Sequence, residues 1–154
     1  MASAASFKHA IIKKGCYHWE FDPNPSSKRD SVLVVSHIVP IPKVSGGSQY
    51  MCNTLLPISN EFNLHLLIVG EKNIGNIIEN EIENYKKYFK TVTLVEREHE
   101  PHNDLQKILY YGTRIILEMP FLDINFYTKK AIMMASYIIQ KYNIKMLDCQ
   151  SAHM

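Results

Sequence analysis

Ser31-Val32-Leu33-Val34-Val35-Ser36 is the stretch that decides the fold. A short, β-branched apolar run of this kind is the mark of a strand buried on both faces, as in a parallel sheet. Pro40 and Pro42 forbid its continuation, and Ser45-Gly46-Gly47-Ser48 forms a flexible turn. A helix is predicted from Ser48, with Ser48 as its N-cap and Tyr50, Met51, Leu55 and Ile58 facing inward.

Downstream the same alternation repeats. Leu64-His65-Leu66-Leu67-Ile68-Val69-Gly70 reads as a second buried strand. Ile78, Ile82, Tyr85 and Phe89 recur at helical spacing and predict an amphipathic helix over 76–89. Thr91-Val92-Thr93-Leu94-Val95 is a third strand. Leu105, Ile108, Leu109 and Ile116 suit a helix over 103–117, and Ile132, Ala135, Ile138, Ile139 and Tyr142 suit one over 127–142. Lys145-Met146-Leu147-Asp148 supplies the last strand after a turn at Asn143. Strands alternating with helices imply parallel pairing through right-handed crossovers, so the expected class is a Rossmann-like three-layer α/β domain with a mainly parallel sheet.

Residues 1–30 read differently. Asp22-Pro23-Asn24-Pro25-Ser26-Ser27 is turn and linker chemistry, while Ile11-Ile12 and Tyr17-His18-Trp19 suit a short strand or a docked segment. This stretch is treated as an N-terminal extension, partly ordered or linker, ahead of a domain over 31–154.

Bulk properties bound the function. A chain of 154 residues carries one adequate core. The formal net charge of +2 is too small, and its basic residues too dispersed, to argue for nucleic acid. Cys16, Cys52 and Cys149 are far apart and odd in number, which argues against a disulfide framework and for a reducing compartment. None of the 7 histidines stands at a metal-ligand spacing, so no metal is expected. No apolar run reaches bilayer length and no signal-peptide h-region follows Met1, so a cytoplasmic protein is expected.

The loop after the first strand is where an open parallel sheet places chemistry. Its paired glycines allow close backbone approach, and N–H groups at a helix start favour phosphate. A plain strand-to-helix turn would also use Gly46 and Gly47. In context, however, Val-Leu-Val-Val-Ser, then Pro-x-Pro, then Gly-Gly and a helix resembles the opening of retaining GT-B glycosyltransferases (group 1, family 4-like). The resemblance covers residues 31–154 and implies the acceptor-side, N-terminal half of that two-domain fold. It implies that Gly46, Gly47 and Ser48 face the diphosphate of a nucleotide-sugar donor, with the donor shared with a C-terminal domain. The acceptor is unidentified, and no further cofactor is expected. Neither GxGxxG nor the Walker pattern is present, which weakens a nicotinamide or ATP-hydrolase reading.

Other candidates follow from position. His153, after the last strand, corresponds loosely to a cleft histidine of the family and is the catalytic candidate; the alternative is a frayed end. His37, Lys43 and Arg97 are acceptor-side candidates at strand ends, each weighed against a structural histidine or a solvated charge. Glu71 and Glu79 stand in the E-x7-E spacing that the family carries in its other domain, and here the spacing is coincidental. Tyr85-Lys86-Lys87-Tyr88-Phe89-Lys90 mixes aromatics with bases, as membrane-surface contacts of such enzymes do. Core packing of Tyr85 and Phe89 with cations at a helix C-terminus is the simpler account.

With four recognisable strands, the chain reads as an incomplete N-terminal half: a fragment, a truncated product or one part of a split enzyme. One lobe cannot hold donor against acceptor, so inactivity alone is expected. The alternative is a non-catalytic Rossmann-like binding or interaction domain. A hydrolase is disfavoured because GxSxG is absent.

Overall fold

The computed structural model describes residues 8–22, 28–97, 105, 108, 112 and 129–150. Ten elements follow in chain order among them: β1 (Lys8–Lys13), β2 (Cys16–Glu20), β3 (Ser31–Ser36), α1 (Gly46–Ile58), β4 (Asn63–Gly70), α2 (Asn73–Asn80), α3 (Ile82–Tyr88), β5 (Phe89–Glu96), α4 (Lys129–Tyr142) and β6 (Met146–Gln150). The strands form one six-stranded sheet in the order β1-β2-β5-β4-β3-β6. β5, β4, β3 and β6 are mutually parallel, whereas β1 and β2 pair antiparallel with each other and with β5. The protein is therefore α/β and broadly Rossmann-like. No helix among the described residues is long and apolar enough to cross a membrane.

The direction of chain travel sorts the helices into layers. From β3 the chain steps one way to β4 and β5, which puts α1, α2 and α3 on one face. It then returns past β3 to β6, which puts α4 on the other. Strand alternation matches this division. Val32, Val34, Leu64, Leu66, Ile68, Val92 and Leu94 pack with Met51, Leu55, Ile78 and Tyr85 of the first layer. Leu33, Leu67, Val95 and Cys16 pack with Met134 and Ile138 of α4. Every residue of β4 is buried, as expected of a strand covered on both sides.

Several expectations need correction. The sheet extends ahead of residue 31: the stretches that suit a short strand or a docked segment, around Ile11-Ile12 and Tyr17-His18-Trp19, are β1 and β2, a hairpin within the sheet, and β2 runs in register with β5 from Cys16↔Val95 to Glu20↔Thr91. Gly15 closes that hairpin at φ 77°, a conformation that favours glycine, and its carbonyl accepts from Glu96 N at 2.8 Å. The helix foreseen over 76–89 is two short helices interrupted at Glu81, and Phe89 already belongs to β5. Tyr50 is 47% exposed rather than inward. On α4 the buried residues are Met134 and Ile138, while Ile132 and Ile139 face outward. The 103–117 helix lies outside the described residues except Leu105, Ile108 and Gly112, which are helical. Asn143 adopts φ 50° past the end of α4, with Ile144 N donating to Ile139 O at 3.1 Å, a left-handed helix stop of the Schellman type.

Candidate functional site

In this strand order the chain reverses direction at β3, so the crevice between the carboxyl ends of β3 and β6 is the topological switch point. Ser36 and Gln150 are paired there. The segment from His37 to Ser45 leaves β3 at this edge and leads into α1.

That segment is tied down from several sides. Ser36 Oγ accepts from Ile38 N at 2.9 Å. Cys52, buried on α1, donates its S–H to Pro40 O at 2.8 Å. Burial raises the Cys52 thiol pKa, against a smaller opposing effect of the Lys43 charge, so the thiol keeps its proton. Tyr85, buried on α3, donates its hydroxyl to Ile41 O at 2.8 Å. Burial pushes the phenol far above its ordinary range, which keeps this donor protonated. Two carbonyls of a partly buried loop are thereby satisfied.

The helix start differs from expectation. Ser45, in extended conformation, is the N-cap, and Gly46, Gly47 and Ser48 are the first three helical residues. Ser48 N donates to Ser45 Oγ at 3.1 Å, while Ser45 N donates to Ser48 Oγ at 2.8 Å. This reciprocal capping box satisfies the amide of Ser48 and turns its hydroxyl inward, so Ser48 is committed to the cap. The N–H groups of Gly46 and Gly47 belong to the first turn, which has no intrahelical acceptors. The two glycines are not equivalent. A Cβ on Gly47 would stand 2.7 Å from Ile38 Cδ1, whereas a Cβ on Gly46 would meet nothing within 4 Å. Gly47 thus has a packing reason within the protein; Gly46 borders open space.

The remaining candidates divide by position. His37 is half-buried directly after β3, and Lys43 is exposed on the same loop. Arg97 follows β5, two strands from β3 in the sheet order and so about 10 Å away laterally. Its backbone N donates to Gly70 O at 2.7 Å, and its guanidinium lies 3.6 Å from the Glu71 carboxylate. His37, Lys43 and the glycine pair thus share the one segment that joins β3 to α1, and Arg97 follows β5. Glu79 is exposed on α2, away from this edge. His153 lies outside the described residues.

Sequence reasoning missed Asp148 and Gln150. Both are half-buried, Gln150 Nε2 donates to Asp148 Oδ2 at 2.6 Å, and their partners across β3 are Val34 and Ser36. Only the placement of β6 beside β3 reveals them, because an ordinary Asp-Cys-Gln triplet carries no motif.

At this edge the molecule offers backbone donors at a helix start, a nearby lysine and an amide–carboxylate pair. Such a set suits an anionic group joined to a hydroxylated one. Comparison with protein-family models, with curated proteins and with solved structures finds no significant match.

Proposed function

We propose that the chain is the acceptor-side half of a GT-B type glycosyltransferase, which transfers a sugar from a nucleotide-sugar donor held jointly with a donor-binding domain. What carries the reading is Gly46: a first-turn helical glycine bordered by open space, at the carboxyl edge beside the switch point. A diphosphate seated there would meet two backbone N–H groups and the positive end of α1, with no side chain in the way. Lys43, exposed on the loop that leads into α1, adds a positive charge. His37, Asp148 and Gln150 supply polar groups for an acceptor hydroxyl. The leaving diphosphate is the group whose charge grows as the glycosidic bond breaks, so donors aimed at it act where stabilisation lowers the barrier.

The experiment is sugar transfer from nucleotide-sugar donors by the enzyme with its donor-binding domain, read as released nucleoside diphosphate. Gly47→Arg, which forces a long side chain onto Ile38 and into the loop, abolishes release on this reading. Undiminished transfer contradicts it.

A second reading rests on Gly47. Its contact with Ile38 accounts for that glycine without any ligand, as in a non-catalytic Rossmann-like binding domain. That reading requires the absence of any dependence on sugar nucleotides, which the same assay reports.

A further inference from the structure

At the opposite edge of the sheet, beneath the C-terminal end of α4, the face that packs Leu33, Leu67 and Val95 turns polar. His18 and His65 are each 3% exposed there, beside buried Thr91 and Thr93. The hydrogen-bond directions can be worked out in sequence. Tyr142 donates its hydroxyl hydrogen to Glu20 Oε1 at 2.9 Å. Its oxygen must then accept from His18 Nε2, which lies 3.0 Å away, so that nitrogen carries the proton. His18 Nδ1 is left as the acceptor and receives the Thr93 hydroxyl at 2.8 Å. His65 Nδ1 contacts Thr91 Oγ1 at 2.9 Å, and its ring stacks on Tyr142 with centroids 4.6 Å apart. Lys141 Nζ closes the group on Glu20 Oε2 at 3.3 Å.

We propose that this cluster is a proton-sensitive latch: neutral His18 and His65 hold α4 on the sheet, and protonation of either releases it. Every group facing the two rings bears on the sign. Burial opposes the charged form of both imidazoles. Lys141 adds repulsion at His18, and His18 itself and Lys90 add it at His65. Glu20 pulls the other way but does not prevail, and both rings are held at about 4. Burial raises Glu20, yet the hydrogen bonds from Tyr142 and Lys141 outweigh it, so the carboxylate is ionised and fully engaged. Tyr137 meets His18 edge-on, with centroids 6.1 Å apart. The backbone of β1 pairs Ala10 with His18 and Lys8 with Glu20 in register.

Local release, rather than global unfolding, follows from how α4 is attached. Among the described residues its buried anchors on the sheet are Met134 and Ile138 together with this cluster, whereas the opposite face holds the larger apolar core. α4 also leads through Asn143 into β6, the strand that borders the candidate site and is held by its own ladder to β3. Because both histidines bind protons more weakly when docked, the docked form is favoured fully above pH 6.5 and loses that advantage as pH falls towards 4. At pH 5 the difference between 6.5 and about 4 corresponds to about a 30-fold rise in opening for each histidine.

Amide hydrogen exchange on the full chain, corrected for the intrinsic pH dependence of exchange, tests this. Opening of α4 is expected to rise by about that factor per histidine between pH 7.5 and pH 5, while β4 and β5 stay protected. His18→Gln and His65→Gln should each remove their own share of the rise. A flat pH response of α4, a rise unchanged in both variants, or β4 and β5 opening in step with α4 overturns the latch. Should the variants fail to fold, imidazole NMR titration of the unaltered protein decides. Both rings titrating well below 5.5 as α4 opens supports the latch. Either ring titrating near 6.5 with α4 still protected refutes it.

Discussion

The Tyr85 hydroxyl reaches 2.8 Å from the Ile41 carbonyl and so joins two segments 44 positions apart, the middle of α3 and the loop that precedes α1. Tyr85 is fully buried, so water cannot replace this donor. Tyr85→Phe leaves a buried carbonyl unsatisfied, and a loss of about 1–3 kcal/mol is expected. Urea denaturation measures the loss, and faster amide exchange over residues 38–47 should accompany it.

The two glycines of the α1 start should part company under the same substitution. Gly46→Ala adds a methyl group in open space at a helical position, so stability should hold or rise by up to about 1 kcal/mol. Gly47→Ala must displace Ile38 Cδ1, an end group that can move, so the helix gain is offset and the variant should be the less stable of the two. Bulk at Gly46 should instead weaken anion binding. Thermal melts with and without pyrophosphate separate these effects.

Ser45 caps α1, and Ser45→Ala removes the acceptor for Ser48 N, which is one side of the reciprocal pair. A loss of about 1 kcal/mol is expected, as for other N-caps of this type. Ser48→Ala should cost a similar amount while leaving anion binding intact, because its hydroxyl serves the cap. Chemical denaturation and a pyrophosphate titration of each variant check this.

Thiol chemistry should follow burial. Cys16 and Cys52 are buried and Cys149 is exposed on β6. A thiol reagent should modify one cysteine rapidly in the native protein and the other two only after denaturation. Rapid native labelling of Cys52 would contradict its placement against Pro40.

The legible parts of the sequence were those where one segment states its own environment. β3 and β4 were found to within a residue because uninterrupted apolar runs have no other home in a domain of this size. β2 is legible as a short strand at Tyr17-His18-Trp19, but not as a member of the sheet, because one of its faces carries His18 and Glu20, which belong to the polar cluster and imitate a solvent face. The break at Glu81 was hidden because Ile78, Ile82 and Tyr85 keep helical spacing across it. Two serines three residues apart both satisfy the rule for an N-cap, and only the extended backbone of Ser45 separates them. At the candidate site the glycine pair was visible, but the contact of Ile38 with Gly47 and the placement of Gln150 beside Ser36 are products of the fold.

The central claim, that the start of α1 receives a diphosphate, is tested most directly by following backbone amide resonances during titration with inorganic pyrophosphate. Saturable shifts largest at Gly46 and Gly47, and abolished by Gly46→Glu, are predicted. Shifts that leave those two amides unmoved, or that persist unchanged in Gly46→Glu, would contradict it.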